Sequence, residues 1–464
     1  MKKRFQKFDG SIHAVLDSCS LMVAGFLSEW IGSGLSVYQY ISSHLEIVQV
    51  VAIYIFIVYL FDLYYPLRDF RSYRSLVRLL VAVVVFGLTI FIMDLLRSSM
   101  GHPPYYGGAQ FTWFVFLLFV FSYSARLAMS FLRRQVFVRN AIIIGDTPTA
   151  RLLMACISEE EKTGRGLGFK VVGYVADESV SAPCHNLRRL GQLREIATLR
   201  KAMDVSLMIY ALDSFENPEI NELIVHERLQ GVPLISAVGL YEAITGRVPH
   251  GYVNAAWLIE ECLRSNRFTQ VNMKNLMDRV LGAIFLLVSL PLLVICAYLV
   301  KRESPGPALF TQQRIGKLGK PFTIYKFRTM RPAAENGDAE AEGWHQQQEA
   351  RITDLGRFLR RTHLDELPQL INVVLGEMSL VGPRPEMEVF IKACEHKIPF
   401  YRLRLDVKPG MTGWAQVAFR HTSTLDAYRE KFEYELYYLS HLSLQFDLEI
   451  LARTVFVVFF KPSR

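Results

Sequence analysis

Long apolar runs alternate with short polar connections in the first third of the chain. Four runs stand out, at residues 14–31, 47–60, 76–96 and 111–129. They approach the roughly 17–25 residues that a helix needs to cross a bilayer, although the second and fourth need their flanking residues to do so. The pattern predicts a bundle of four transmembrane helices over residues 1–136.

The polar connections differ in their basic residues. Arginines crowd the connections after the second and fourth runs, whereas those after the first and third carry almost no Lys or Arg, with Arg97 as the exception. Because basic residues favour cytoplasmic loops, both ends of the bundle are predicted to lie in the cytoplasm. A signal peptide is the alternative for residues 1–31, but no small-x-small cleavage site precedes a polar segment. Arg126 is expected to extend toward the cytoplasmic face, and a functional intramembrane arginine is the alternative.

From residue 139 the pattern changes to short apolar strands that alternate with helices. Strands are predicted at 141–145, 170–175, 205–211 and 232–236, and helices at 149–158 and 218–230. This alternation predicts a small doubly wound, Rossmann-like α/β domain over residues 139–262. Only the first glycine of a dinucleotide fingerprint is present in Gly145-Asp146-Thr147, and Asp146 would repel a pyrophosphate. Binding of a nicotinamide cofactor is therefore disfavoured.

A further apolar stretch covers residues 276–300. It is long enough to span a bilayer, but Pro291 breaks or kinks a helix. Basic residues lie at both ends of the stretch, so neither end prefers the outside of the cell. We predict a re-entrant membrane helix over residues 274–302 with its break at Ser289 and Pro291. An ordinary fifth span is the alternative.

Two adjacent carboxylates, Asp365 and Glu366, stand just before Pro368. Proline is tolerated only near a helix start because it lacks an N–H. A helix is therefore predicted to begin near residue 364 or 365, with both acids in a first turn where free N–H groups favour anions. Successive helical residues point about 100° apart, so the two acids have different roles. Simple helix capping is the alternative for an isolated Asp-Glu pair.

Basic residues on both sides argue against a capping role alone. Arg360, Arg361 and Arg384 are more cations than a cap needs, and paired arginines suit phosphate oxygens. Upstream, two short β runs punctuated by glycines predict a hairpin or an extended loop within residues 303–331. Residues 332–350 are polar and predict a mobile loop that closes over a substrate or serves only as a linker.

Composition narrows the classes of partner. The 464 residues are 51% hydrophobic and carry a net charge of +8. The six cysteines show no C-x-x-C spacing, and no zinc-finger pattern or long basic arm is present. Membrane lipid and phosphorylated substrates are therefore the expected partners, and nucleic acid is not.

Three segments carry a resemblance to a known family: T-H-L-D-E-L-P-Q-L at 362–370, M-S-L-V-G-P-R-P at 378–385 and P-G-M-T-G-W-A-Q at 409–416. Together they resemble the signature of the bacterial sugar transferases, which are polyprenyl-phosphate hexose-1-phosphate transferases. The resemblance implies that Asp365 is the nucleophile on a nucleotide-sugar diphosphate and that Glu366 is a Mg²⁺ ligand. Position 363 is often serine in the family. A substituted surface position is the simpler interpretation of His363, and an additional role stays open.

The resemblance further implies a monotopic α+β catalytic domain over residues 303–464, at the cytoplasmic face of the bacterial inner membrane. Its expected reaction moves a sugar 1-phosphate from a UDP-sugar to undecaprenyl phosphate and releases UMP, as the first membrane step of exopolysaccharide or O-antigen-type glycan synthesis. The α/β domain would be non-catalytic, and a homodimer is compatible with this organisation. The candidate phosphate-binding residues are Arg314, Lys326, Arg328, Arg361 and Arg384. The candidate nucleotide- or lipid-proximal residues are Thr412, Trp414 and Gln416.

Structural explanations stand beside these candidates. An electropositive membrane-facing surface explains the upstream cations equally well, and a tight turn explains the glycines around Trp414. A membrane-anchored dehydratase or epimerase shares the order of membrane helices and α/β domain, but it requires an intact glycine fingerprint and a Tyr-x-x-x-Lys pair. A non-catalytic scaffold would not require the cluster of charges between Asp365 and Arg384.

Overall fold

The computed structural model describes residues 9–33, 47–61, 63–64, 73–101, 108–136, 139–162, 169–176, 187–211, 218–249, 251, 267–331, 351–419 and 425–460. The chain divides into two compact units, Met1–Thr245 and Gly246–Arg464. The loop predicted at 332–350 and the basic residues 1–8 lie outside the described residues.

Apolar helices form the first part of the first unit. They are α1 (Asp9–Ser33), α2 (Ile47–Leu60), α3 (Tyr73–Ser99) and α4 (Gly108–Val136). By length and composition α1, α3 and α4 are suited to cross a membrane, whereas α2 is a shorter apolar helix. All four predicted apolar helices are therefore present, and the second remains short of a full span without its flanks.

Arg126 does not extend toward a membrane surface, and this expectation was wrong. Its two terminal nitrogens donate to the Asp17 carboxylate at 2.6 and 2.7 Å. Both side chains are only 1% exposed. A charge inside an apolar bundle is stabilised by an opposite charge on a neighbouring helix. Asp17 lies on α1, 109 residues away in sequence, so local sequence around Arg126 gave no sign of its partner.

A parallel five-stranded sheet forms the rest of the first unit. Its strands are β1 (Arg139–Ile144), β2 (Phe169–Val175), β3 (Arg189–Gly191), β4 (Val205–Tyr210) and β5 (Leu234–Ser236), in the order β3-β2-β1-β4-β5. The accompanying helices are α5 (Pro148–Lys162), α6 (Ile196–Ala202), α7 (Pro218–Leu229) and α8 (Ala237–Thr245). The central strand β1 is buried on both faces, which explains its unbroken apolar run. The four predicted strands and both predicted helices are confirmed. Sequence reasoning missed β3, which has only three residues.

The second unit begins before the predicted boundary at residue 262. The Val248 N–H donates to the Glu433 carbonyl at 3.1 Å, and its side chain is fully buried in the core of this unit. Residues 246–249 thus pack with the second unit rather than with the sheet.

Helix α9 (Arg267–Glu303) is 37 residues long and continues through Pro291. The expected break therefore does not end the helix. Pro291 removes a single N–H donor, and nearby the Ser289 hydroxyl donates to the Leu286 carbonyl at 3.2 Å. The helix is long and apolar enough to cross a membrane. Its return to the same side of the membrane stays a prediction.

Shorter elements follow α9 in the second unit. The predicted hairpin is present as antiparallel strands β6 (Leu309–Ile315) and β7 (Pro321–Phe327). A second, parallel pair is formed by β8 (Ser379–Val381) and β9 (Gly410–Thr412). The helices are α10 (Asp354–Arg361), α11 (Leu370–Leu375), α12 (Glu388–Glu395), α13 (Trp414–Ala418), α14 (Leu425–Ser440) and α15 (Leu444–Phe460), with 3₁₀ helices at Leu364–Gln369 and Tyr401–Leu405. The main core of this unit includes Trp414, Phe432 and Phe446, and α10 packs with the end of α9 in a second apolar cluster around Leu359 and Val300.

Candidate active site

The two candidate acids lie on the 3₁₀ helix Leu364–Gln369, directly before α11. The predicted helix start is confirmed, but the first six residues are 3₁₀ rather than α. Pro368 accounts for this, because its missing N–H and its ring oppose an α-helical hydrogen bond to residue 364. His363 precedes the helix with a positive φ of 57°, which histidine tolerates better than most residues. Its side chain is exposed, as the simpler interpretation of this position predicted.

Two cations hold Glu366. Its Oε1 accepts hydrogen bonds from Lys326 Nζ at 2.8 Å and from Arg384 Nη2 at 3.0 Å. Burial alone would raise the pKa of Glu366, but Arg384 and Lys326 together lower the pKa to about 2. The carboxylate is therefore ionised throughout the physiological pH range.

Lys326 reaches Glu366 because of the two-residue period of β7. Phe322 and Ile324 are buried on one face of the strand, and Lys326 is the next residue on that face, against which the 3₁₀ helix packs. Asn372 on α11 fixes this arrangement. Its Nδ2 donates to the Thr323 carbonyl at 2.7 Å, and its Oδ1 accepts from the N–H of residue 325 at 3.3 Å.

Asp365 has a different environment from its neighbour. No hydrogen bond or ion pair from the described part of the chain reaches its carboxylate. Burial, and then the charge of Glu366, raise the pKa of Asp365, while Lys326 opposes the shift. A carboxylate without protein partners and with a raised pKa is more basic and more available to an incoming group.

Arg384 is positioned by a buried ion pair behind it. Arg404 donates to both oxygens of Glu435 at 2.9 and 2.7 Å, and its Nη2 also donates to the Arg384 carbonyl at 3.0 Å. The side chains of Arg404 and Glu435 are each 1% exposed. A second ion pair is formed at 2.7 Å between Lys431 and Glu386, and Glu386 lies two residues after Arg384. Sequence reasoning missed the role of all four partners, since their pairing depends on tertiary contacts.

The remaining predicted cations differ in their positions. Arg314 donates to the Pro385 carbonyl at 3.3 Å, next to Arg384, and burial followed by the charge of Arg384 lowers the pKa of Arg314. Arg328 instead donates to the carbonyls of Ser304 and Pro305, both at 2.7 Å, after the end of α9. Arg361 is exposed at the end of α10. The structure thus brings together Asp365, Glu366, Lys326 and Arg384, with Arg314 beside them, and it does not bring Arg328 into this group.

Thr412, Trp414 and Gln416 bond to protein groups. Thr412 Oγ1 lies 2.7 Å from Thr454 Oγ1, and Gln416 Nε2 donates to the Met411 carbonyl at 3.3 Å. Trp414 is 1% exposed, and its indole N–H donates to the Gly246 carbonyl at 2.8 Å. In this structure its ring is part of the hydrophobic core, so neither face of the ring is available to a nucleotide base.

The two acids provide a partial set of metal ligands. Within the residues that the structure describes, no three His, Cys, Asp or Glu side chains form a cluster that could hold a metal ion. Mg²⁺ is often bound by one or two carboxylates together with the phosphates of a substrate. Glu366 Oε2 accepts no hydrogen bond from the described residues, and Asp365 adds a second carboxylate. These oxygens fit that mode of binding.

Comparisons with known proteins agree on one class. A family model described as "Bacterial sugar transferase" matches residues 269–461. The chain is 33% identical over 339 residues to the UDP-glucose:undecaprenyl-phosphate glucose-1-phosphate transferase of Escherichia coli (strain K12), covering 71% of this chain and 70% of the relative. It is 32% identical over 419 residues to the enzyme of the same name from Xanthomonas campestris pv. campestris, covering 85% and 82%.

A third relative is matched over a shorter part. The UDP-N-acetylgalactosamine-undecaprenyl-phosphate N-acetylgalactosaminephosphotransferase of Aeromonas hydrophila is 37% identical over 227 residues, covering 49% of this chain. The chain spans about half the length of that relative, 52%.

Proposed function

This chain belongs to the bacterial sugar transferase family, and we propose that it transfers a sugar 1-phosphate from a UDP-sugar to undecaprenyl phosphate and releases UMP. The observation that carries the proposal is the pairing of an unpartnered Asp365 with a Glu366 held by two cations. The relatives are named as transferases of glucose, galactose or N-acetylgalactosamine. Similarity to them therefore does not identify the sugar that this chain transfers. The glycan served is of the exopolysaccharide or O-antigen type.

Asp365 is the nucleophile in this proposal. Its carboxylate attacks the phosphorus that bears the sugar, the bond from that phosphorus to the bridging oxygen breaks, and UMP leaves with the electron pair. A phosphate oxygen of undecaprenyl phosphate then attacks the phosphorus of the acyl phosphate. The lipid diphosphate sugar departs, and the Asp365 carboxylate is regenerated.

Lys326 and Arg384 offset the negative charge that would repel this nucleophile. Both already contact Glu366, so they are fixed before a diphosphate arrives and need little reorganisation during the reaction. When bound at Glu366, Mg²⁺ would withdraw charge from the diphosphate oxygens. The two cations beside Glu366 oppose binding of a bare metal ion, so the ion is expected to enter together with the nucleotide sugar.

The proposal also covers the rest of the chain. We place it as a multi-pass protein of the bacterial inner membrane, with its catalytic unit in the cytoplasm, where nucleotide sugars are made. Helix α9 would enter the membrane and return to the same side. The strand order β3-β2-β1-β4-β5 matches part of the Rossmann order and supports a Rossmann-like domain, to which we assign no catalytic role. A homodimer stays a prediction.

UMP release by the purified full chain tests the proposal, with a panel of UDP-sugars, Mg²⁺ and undecaprenyl phosphate. Asp365→Asn is expected to reduce the rate by about 10³-fold or more, because the nucleophile is removed. Asp354→Asn is the matched control, since Asp354 is an exposed aspartate that pairs with the exposed Arg357. With a donor labelled in the sugar phosphate, wild type should carry the label covalently. Equal rates for Asp365→Asn and wild type would refute the proposed nucleophile.

A further inference from the structure

Gly376 follows α11 with a positive φ of 84°, a conformation that glycine adopts without strain. A methyl group placed on its Cα would have three cationic nitrogens as its nearest atoms. Arg279 Nη2 would lie at 3.1 Å, and Arg279 Nε and Lys408 Nζ would each lie at 3.6 Å. The Arg279 guanidinium and the Lys408 ammonium group, from two different elements, therefore lie next to each other against the backbone of Gly376.

Within the described ranges of the chain neither cation makes a hydrogen bond or an ion pair with an acid, although the charge of Asp278 opposes the lowering of the pKa of Lys408. Asp278 is adjacent to Arg279 in sequence, but it accepts the Leu380 N–H at 3.2 Å and lies 3.8 Å from Lys274. Burial, and then the charge of Arg279, lower the pKa of Lys408. Such crowding of like charges is costly unless an anion joins them.

The end of α11 does not account for the cations. Its carbonyls attract positive charge, but backbone donors already cap them. Gly376 N–H donates to the Val373 carbonyl at 3.0 Å, and two further N–H groups donate to the Asn372 carbonyl. A helix of six residues also has only a small dipole.

Exposed apolar side chains neighbour these positions in sequence. Leu375 precedes Gly376 and is 61% exposed, and Val280 follows Arg279 and is 50% exposed. Lys317, whose charge also lowers the pKa of Lys408, is followed by Leu318, which is 69% exposed with a positive φ of 57°. Cations at the edge of an exposed apolar surface are typical of the level of lipid headgroups.

We propose that Arg279 and Lys408, which lie side by side against Gly376, bind the phosphate headgroup of a membrane lipid. Lys317 adds positive charge to this headgroup site. It is separate from the cluster around Asp365, because Lys326 and Arg384 are the cations that contact Glu366 there. The inference does not depend on the proposed transfer reaction.

Binding of short-chain lipids to the full chain in neutral detergent tests the inference by calorimetry, with no sugar donor present. The probes are dioctanoyl phosphatidate, farnesyl phosphate and inorganic phosphate. Replacing both cations, Arg279→Gln with Lys408→Gln, removes charge-assisted hydrogen bonds and should weaken lipid binding by about tenfold or more. The matched control is Lys392→Gln with Arg402→Gln, since these exposed cations are paired with Glu388 and Glu395. It should bind as wild type does.

A second pair of variants displaces the cations without removing their charge. Gly376→Ala places a methyl group 3.1 Å from Arg279 Nη2, so the guanidinium must shift, whereas Gly231→Ala has the same backbone constraint, with a φ of 85° and no atom within 4 Å of its methyl. Only Gly376→Ala should weaken lipid binding, and thermal melting checks that both fold. Loss confined to farnesyl phosphate would identify a prenyl phosphate, and loss of phosphatidate would identify a bilayer phospholipid. Unchanged lipid affinity in the double variant, or equally tight inorganic phosphate, would overturn the inference.

Discussion

Variants of the ion pair between Arg404 and Glu435 can distinguish its contribution to stability from its contribution to activity. Glu435→Gln keeps the shape of the side chain but leaves a buried guanidinium without its counter-ion. Removing one partner of a buried pair costs about 3–5 kcal/mol. In a domain of this size, each kcal/mol lost from the free energy of unfolding lowers the melting temperature by about 2–4 °C. The second unit of Glu435→Gln is therefore expected to melt roughly 6–20 °C below wild type.

The double variant Arg404→Met with Glu435→Leu removes both charges. Replacing a buried pair by apolar residues is often neutral or stabilising by about 1–4 kcal/mol, so its melting temperature should return to near that of wild type. The hydrogen bond from Arg404 Nη2 to the Arg384 carbonyl at 3.0 Å is still lost. Displacement of Arg384 by about 1 Å is expected to lower kcat about 10²-fold.

Thermal melting in detergent and UMP release, measured on the same preparations, test this reasoning. Arg429→Gln is the control, because Arg429 forms an exposed pair with Asp426 on the same helix as Glu435. It should change the melting temperature little. A double variant that is stable and turns over at the wild-type rate would show that Arg404 does not position Arg384.

Lys326→Met removes one of the two cations that lower the pKa of Glu366 to about 2. The stability that ionised Glu366 contributes is present above its unfolded pKa and is lost as pH falls through the folded one. In Lys326→Met this loss of stability should begin at a higher pH than in the wild type. Identical melting temperatures of variant and wild type across the acidic pH range would contradict this expectation. Asp17→Asn removes the carboxylate that pairs with the buried Arg126 and should cost the membrane bundle about 3–5 kcal/mol. The double variant Asp17→Leu with Arg126→Met removes both charges and should restore the yield of folded protein. A yield that stays low would show that the buried charge is not the cause of the lost stability.

Local patterns in the sequence predicted the elements but not the contacts between them. The apolar run of β1 indicated a strand buried on both faces, and Pro368 located the helix start that carries Asp365 and Glu366. Both signals act within a few residues. Lys326 was a candidate cation from the family resemblance, and its contact with Glu366 became visible only once β7 packed against the 3₁₀ helix.

The residues that support the catalytic side chains are not indicated by any local sequence pattern. Asn372 interrupts the apolar run of α11, yet nothing nearby in sequence indicates that it bonds to β7. Arg404 and Glu435 are 31 residues apart and occur among other charged residues. Trp414 follows a glycine-rich turn that suggested a ligand, whereas the surrounding aromatic rings bury it. Such pairings follow from tertiary packing, which periodicity does not encode.

The pairing of Asp17 with Arg126 also has a consequence for biogenesis. Asp17 leaves the ribosome first, and its helix must enter the bilayer with an acid that alone costs roughly 2.5–3.5 kcal/mol at the centre of a helix. The compensating guanidinium is synthesised 109 residues later. We therefore expect the first helix to be stably inserted only after the fourth has been made. A truncated product that ends before α4 should be recognised by membrane quality control as incompletely assembled.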